Sequence, residues 1–337
     1  MKRKKLTFGI VGYGRFGRLW ARELSRLGRV LVYDKKRPRE KPPQNASFTT
    51  LAATAAADIL FLSVPISRLE ACVRELVPLV GPRTVVIDVC SVKAWPAEIM
   101  KKAFPKGQPI LGTHPLFGPD SARVQGGIKG LKIVVSRLRR ASPRERAVLA
   151  TFKKLGLTVI PATPEEHDRA MARSQALVHF LGRGLAGLGL REQKIATPDF
   201  HTLLRMQDMV INDTKELFTD MQRKNPFAAD IRARFLNRLE RLEAEIAAAG
   251  GVMSARKEIE RIDREMLSLL ASRAALSRAI GKVKRMKGIP IRDRTRERKL
   301  ELMRARRART LGLDSSFAER LFRSVVADSR RLQETRR

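Results

Sequence analysis

Hydrophobic positions along this chain follow two different periods. Up to about residue 160, short β-rich apolar runs at 8–11, 30–33, 59–64, 85–89 and 133–135 alternate with amphipathic stretches such as 15–27 and 67–79. Several of the runs are bounded by Gly or Pro. This alternation predicts an α/β fold, a parallel sheet with helices on both faces. From Pro164 onward the strand signal disappears. Residues 165–190, 200–223 and 227–249 read as long helices, broken at Thr197-Pro198 and Asn225-Pro226. Gly250-Gly251 is expected to end the third, with Ser254 as the N-cap of the next. Ile259, Ile262, Met266, Leu269, Leu270, Leu276, Ile280 and Val283 then mark a helical stripe reaching about Met286. Two more helices are predicted over 294–309 and 316–334, joined by 311–314. The expected organisation is an α/β domain over 1–163, an all-α domain over 164–250 and an all-α three-helix module over 251–337, with no internal repeats.

Composition narrows the classes. Of the 337 residues, 43% are hydrophobic, enough for sizeable cores, and no run approaches the ~18 apolar residues of a membrane span. The basic start, residues 1–5, is followed by an apolar stretch too short for a signal peptide and reads as a lead-in to a strand. Cys72 and Cys90 show no metal or redox spacing, so a reduced, cytoplasmic setting is expected and no metal site. The net charge is +35, which favours polyanion partners in principle. The cations are spread along the chain, with one dense cluster at 304–309, and aromatic residues are only 5%. A solvated basic surface accounts for this better than a nucleic-acid footprint, which needs stacking platforms.

One motif carries nucleotide chemistry. Gly12-Tyr13-Gly14-Arg15-Phe16-Gly17 follows a predicted strand and opens a helix. Gly12 permits the tight turn, Gly14 admits a pyrophosphate to the backbone, and Gly17 lets helix and strand pack closely, the pattern of a Rossmann-type domain. The helix N-terminus offers N–H groups to the anion. Asp34 ends the next strand, 22 residues after Gly12, where a carboxylate accepts from ribose hydroxyls and repels a 2′-phosphate. NAD is therefore favoured over NADP, although Lys35, Lys36 and Arg37 follow directly.

Histidine is scarce: His114, His167, His179 and His201. His114 sits in Gly112-Thr113-His114-Pro115-Leu116-Phe117-Gly118-Pro119-Asp120, just beyond a predicted strand. That segment resembles the prephenate/arogenate dehydrogenase family, which carries a catalytic His in an H-P-x-x-G stretch. The resemblance extends over about residues 6–245, through Ser63-Val64-Pro65, Ser91-Val92-Lys93, Glu166-His167-Asp168 and Ser174-Gln175-Ala176-Leu177-Val178-His179-Phe180. It implies hydride transfer from ring carbon 4 of a cyclohexadienol to NAD, with loss of carbon dioxide. It implies that His114 takes the proton of the ring hydroxyl and that Ser91 orients the imidazole near the nicotinamide. The turn residues Gly12, Gly14, Arg15, Phe16 and Gly17, with Asp34, Ser63, Val64 and Pro65, are expected to hold the cofactor. His179 corresponds to a position near the substrate carboxylate, whereas His167 reads as a helix-start or domain-contact residue. The arginine that many prephenate-specific members place after the Thr-Pro break is missing here, and the first arginine is Arg205. Asp213 instead matches an acidic position associated with arogenate, so prephenate and arogenate both remain open.

The last 85 residues place cations on an apolar stripe, which is costly unless they are paired. Arg273 and Lys284, 11 residues apart, face one way at ~16 Å along a helix. Arg256 lies ~25 Å from Arg273 and is positioned to serve another subunit's site. Asp293, Arg296 and Glu297 share a face, as do Ser329 and Gln333. Over about 254–334 these eight residues are similar to the all-helical chorismate mutases. The resemblance implies that Arg273 and a partner's Arg256 take the carboxylates of chorismate, and that Lys284 and Gln333 take its ether oxygen. It likewise implies that Glu297 and Asp293 meet the ring hydroxyl and that the assembly is an intertwined homodimer. The two halves imply consecutive steps towards tyrosine, since mutase product is dehydrogenase substrate. The alternative is a basic polyanion-binding protein without catalysis.

Overall fold

The computed structural model describes residues 6–36, 40–139 and 144–334. The basic lead-in, Arg37 and the terminal Arg336-Arg337 lie outside the described residues. The chain divides into two compact units, the first ending at Ala233 and the second beginning at Arg234. The helices expected as a middle domain are thus shared between the two.

The first unit opens with β1 (Thr7–Val11), α1 (Arg15–Leu24), β2 (Arg29–Tyr33), β3 (Ala46–Phe48), α2 (Leu51–Ala55), β4 (Ile59–Leu62) and α3 (Leu69–Leu76). It continues with β5 (Val85–Asp88), α4 (Ala94–Ala103), β6 (Ile110–Pro115), α5 (Pro119–Val124), β7 (Lys132–Arg137), α6 (Glu145–Lys154) and β8 (Thr158–Pro161). The eight strands form one sheet in the order β3-β2-β1-β4-β5-β6-β7-β8. All neighbours run parallel except β6 and β7, so the sheet is mixed where a parallel one was expected.

The inner strands are apolar on both faces because each face is covered. Ile59 and Phe61 enter one core with Trp20, Phe117 and Phe152, while Leu60 and Leu62 enter the other with Leu69, Val73 and Met100. That is the two-residue period of a strand buried on both sides. Trp20 is fully buried and meets Phe61 edge-on at 5.6 Å between ring centroids.

Next come α7 (Pro164–Met171), a π-helical turn (Ala172–Ala176), α8 (Leu177–Gly187), α9 (Phe200–Ile211) and α10 (Lys215–Lys224). Thr163 and Glu166 cap α7 reciprocally, and Thr214 caps α10 by accepting from the Leu217 N–H. This cap explains why the helix expected over 200–223 is two helices. The helix α11 (Ala228–Ala249) spans the division between units. In the second unit α12 (Gly251–Met286), α13 (Arg294–Thr310) and α14 (Ser315–Glu334) follow. Gly250 is the N-cap of α12, and Ser254, expected in that role, lies inside the helix. In these three helices the buried residues are small: Ser277, Gly281, Ala308, Ala318 and Ser329. Leu267, Leu269 and Leu276 are each about two-thirds exposed within the chain.

Candidate functional site

Strand order reverses between β1 and β4, and the chain turns after each of these strands lie side by side. Gly12, at φ +99°, donates its N–H to the Tyr33 carbonyl, and the Ser63 N–H donates to Val11. A Cβ on Gly12 would strike the Ser63 carbonyl, and one on Gly17 would strike the Gly12 carbonyl. A Cβ on Gly14 would meet open space, so that glycine leaves the backbone approachable from outside. The first bond within α1 runs from Arg18 N–H to the Gly14 carbonyl, which leaves the N–H groups of Arg15, Phe16 and Gly17 at the helix N-terminus. This cradle fits a dinucleotide pyrophosphate. The Asp34 carboxylate accepts from Tyr13 N–H at 2.6 Å and Lys36 N–H at 2.8 Å. It keeps lone pairs for a ribose. Lys35 is drawn away to Glu75 at 2.6 Å. Val64 packs into the core beside α3, and Pro65 begins the short turn leading into that helix.

Two residues of the glycine turn have side chains committed elsewhere. The Arg15 guanidinium pairs with Asp120 at 2.6 Å, donates to the Asn212 carbonyl and lies 3.6 Å from Asp213. Phe16 stacks on Trp20. Where both were expected to hold a cofactor, only their backbone N–H groups face that task.

His114 lies within β6 rather than beyond it, and it is buried, with 3% exposed. Its Nδ1 meets Nε2 of His167 at 2.8 Å, and Nδ1 of His167 meets Oδ1 of Asp168 at 2.8 Å. Asp168 also accepts from the N–H groups of Lys93 at 2.7 Å and Ala94 at 2.9 Å. Lys93 is itself buried and ion-paired with buried Asp88. Burial, then His167 and Lys93, holds the His114 imidazole well below the usual histidine range. His167 is lowered too, chiefly by burial, with its bond to Asp168 opposing. Burial pushes the Asp88 carboxyl up, against the pull of Lys93 and the Cys90 N–H.

Ser91, expected to orient the imidazole, is half-buried and makes no hydrogen bond to it; His167 holds Nδ1 instead. His167, read as a helix-start or domain-contact residue, lies early in α7 and makes its contact with His114. No local spacing signals that contact; Glu166-His167-Asp168 stood out only as part of the family resemblance.

His179, on α8, has Nε2 3.7 Å from Asp213, while its Nδ1 is sealed from solvent without a partner among the described residues. Burial is the main cause lowering its pKa; Asp213 opposes this and Arg183 adds to it. Arg183 donates to the Asp213 carbonyl and lies over the Phe218 ring at 5.2 Å, with Nε unpartnered. Gln207 has a sealed, unpartnered Oε1. Asp213 thus faces two cationic or titrating groups, Arg15 and His179.

In the second unit Arg273 bonds the Ser329 hydroxyl and the Val325 carbonyl. Lys284 donates to the Ile291 carbonyl at 2.6 Å. Gln333 lies beside Gly281, where a Cβ would come within 2.7 Å of its Cα, and its Oε1 is buried without a partner among the described residues. Asp293 caps α13 through the Arg296 N–H at 2.9 Å. Glu297 is gripped by Arg330 at 2.7 and 3.0 Å, with Arg292 at 3.6 Å. Those arginines hold its carboxyl below the usual range. Arg273, Ser329, Gln333 and Lys284 thus lie along the packed helices α12 and α14. Arg256 and the Arg296 side chain are exposed and make no bond among the described residues.

Comparison with known proteins matches three segments of the chain. Residues 21–132 match the family profile of the prephenate dehydrogenase nucleotide-binding domain. Residues 184–265 match a TYRAAT1-like C-terminal domain, and residues 255–334 match chorismate mutase type II. The chain is 30% identical over 254 residues to arogenate dehydrogenase 2, chloroplastic, of Arabidopsis thaliana, across 72% of this chain and 68% of that protein. It is 28% identical over 256 residues to a probable arogenate/prephenate dehydrogenase of Methanocaldococcus jannaschii, across 72% of this chain but only 57% of that relative's length. Among solved structures, prephenate dehydrogenase from A. aeolicus in complex with hydroxyphenyl propionate and NAD+ superposes with a TM-score of 0.58. At 17% identity, covering 80% of this chain and 100% of that one, it shares the fold.

Proposed function

The chain belongs to the prephenate/arogenate dehydrogenase family, and we propose that it is a bifunctional enzyme converting chorismate to prephenate and oxidatively decarboxylating prephenate to 4-hydroxyphenylpyruvate. The observation that carries the oxidative half is the placement of buried His114 at the carboxyl edge of the sheet that also presents the glycine turn. Its Nδ1 is engaged, and its Nε2 makes no hydrogen bond among the described residues. Bound at that turn, NAD supplies the nicotinamide that accepts hydride from ring carbon 4. His114 takes the proton of the ring hydroxyl, a role suited to an imidazole kept neutral by burial. Aromatisation drives the reaction, so the protein has mainly to position the substrate. NAD is favoured over NADP because Asp34 would repel a 2′-phosphate and Lys35 is spent on Glu75.

In the mutase half no proton moves. Arg273 takes a substrate carboxylate, with a partner chain's Arg256 taking another, and Lys284 and Gln333 meet the charge growing on the ether oxygen. Arg296, Ser329, Asp293 and Glu297 complete the surroundings. Prephenate is favoured over arogenate because the mutase makes it. Asp213, already facing Arg15 and His179, also has less to offer an ammonium group. A homodimer is favoured by the exposed apolar stripe of α12, Ile259, Ile262, Met266, Leu269, Leu276, Ile280 and Val283, which recurs at three-, four- and seven-residue spacings like a coiled-coil seam. A reduced, cytoplasmic setting suits Cys72 and Cys90, both buried and free. Burial pushes the Cys72 thiol up to about 12.

The test is NADH formation by purified protein given NAD and, separately, prephenate, arogenate or chorismate. Turnover with prephenate and chorismate but little with arogenate is the expected result. Turnover with arogenate alone would make arogenate the substrate, and silence with all three would remove the dehydrogenase assignment.

A further inference from the structure

The buried line His114–His167–Asp168 has a direction that donor and acceptor rules determine. Asp168 receives two backbone N–H groups at the start of α4, at 2.7 and 2.9 Å. Each oxygen of the carboxylate thus already takes a backbone N–H, and a carboxylate can only accept. The third bond to Asp168 therefore comes from an N–H on Nδ1 of His167. In a neutral imidazole the other nitrogen then carries a lone pair, so Nε2 of His167 accepts. Its partner, Nδ1 of His114, must donate. The hydrogen of neutral His114 thus resides on Nδ1, and Nε2 is bare.

We propose that His167 and Asp168 are positioning residues that lock His114 in the Nδ1–H tautomer, so that Nε2 is the nitrogen ready to take the substrate's proton. This rests on the reading of His114 as the base. Free neutral histidine favours the opposite tautomer, so without the relay most of the imidazole would present an N–H where a lone pair is required. When Nε2 takes the proton of the ring hydroxyl, His114 becomes an imidazolium with an N–H at each nitrogen. Nδ1–H continues to donate to His167, and no other proton needs to move. The charged groups around His114 suit this role. His167 and Lys93 both disfavour its cation, and the Lys93 ammonium is itself paired with Asp88, so the resting imidazole stays neutral. The logic is that of an acid-oriented imidazole in hydrolytic triads, where loss of the correct tautomer costs up to ~10⁴ in turnover. Here a second histidine stands between acid and base.

Two amide replacements at position 167 separate orientation from mere packing. In His167→Gln the side-chain amide reaches the place of Nε2 and offers an oxygen to His114 Nδ1–H. In His167→Asn it reaches only the place of Nδ1, keeping contact with Asp168 and losing His114. With binding and circular dichroism confirming folded protein, His167→Gln is expected to keep kcat within ~10-fold. His167→Asn is expected to lose roughly 100-fold or more in kcat with little change in KM, the range of a general base. Its acid limb in the pH profile should also move up towards ordinary histidine. The reverse order, or equal losses in both, would overturn the proposal. Nitrogen-15 spectra of the histidine-labelled full-length enzyme give the direct reading, since the chain has four histidines. His114 Nε2 should resonate as an unprotonated nitrogen and Nδ1 as an N–H; the opposite assignment would also overturn it. These spectra need no turnover. If the enzyme oxidises neither prephenate nor arogenate, the functional reading fails while the tautomer is still measured.

Discussion

At the scale of single residues, glycine shows how local propensity and packing can oppose each other. Gly281 and Gly184 both lie inside helices, where Ala is intrinsically better by ~1 kcal/mol. At Gly184 a Cβ would meet nothing within 4 Å, whereas at Gly281 it would come within 2.7 Å of the Gln333 backbone. Gly184→Ala should therefore raise stability by up to ~1 kcal/mol in urea unfolding without affecting either activity. Gly281→Ala should destabilise the second unit and lower mutase turnover, leaving NADH formation intact. A gain in both variants would show that α12 and α14 have room to separate. The same contrast explains what could be read from the chain. The glycine turn and the mutase positions lie at spacings set by one turn or one helix, so they were legible. The pairing of His114 with His167 joins residues 53 apart, brought together by β6 meeting α7, and no local pattern encodes it.

At the scale of elements, the inner strands were legible because burial on both faces leaves continuous apolar runs. Two short edge strands, Ala46–Phe48 and Thr158–Pro161, were not legible, because they have no fully buried residue to mark them. β7 was legible as a strand at 133–135, but its antiparallel direction was not, since apolar period says nothing of direction. The element with most left to satisfy is α12. Its stripe of Ile, Met and Leu is exposed within the chain, although fully burying such a side chain contributes ~1.5–3 kcal/mol. A charge placed on that seam should therefore break assembly. On the proposed dimer, Leu276→Glu is expected to shift the protein towards monomer in sedimentation and to abolish mutase turnover, because each site would lose the partner's Arg256. An unchanged oligomer with full mutase activity would remove α12 from the interface.

At the scale of the whole molecule, pH links burial to stability. His114, His167 and His179 are all held below the usual histidine value of 6.5, with burial the largest cause. Below that value the unfolded chain binds protons that the folded chain refuses, so stability falls as pH drops from about 6.5 towards the depressed folded values. Each group contributes up to ~1.4 kcal/mol per pH unit in that window. Asp88, pushed up by burial, opposes the trend from the carboxylate range. Both tryptophans, Trp20 and Trp95, lie in the first unit, so fluorescence-detected urea unfolding reports that unit alone. Its midpoint should be lower at pH 5.5 than at pH 7.5, and an unchanged midpoint would mean that these imidazoles are charged in the fold.

The division into two units also bears on catalysis. On the proposed assignment, the base His114 belongs to the first unit and the ether-oxygen ligand Lys284 to the second. One reaction moves a hydride and a proton; the other is a rearrangement that only needs its substrate held and its developing charge met. On that assignment neither residue has a task in the other reaction. His114→Asn should reduce NADH formation from prephenate by ~10²–10⁴, the range for removing a general base, while chorismate is consumed at the normal rate. Lys284→Ala should reduce chorismate consumption by a factor of at least ~10², the loss seen when one preorganised donor to a developing charge is removed, while NADH still forms from added prephenate. Chorismate supplied with NAD should then yield NADH in neither variant, and mixing the two variants should restore it, because prephenate released by one can be oxidised by the other. If either substitution silences both half-reactions in folded protein, the sites depend on each other and the two activities share more than a chain.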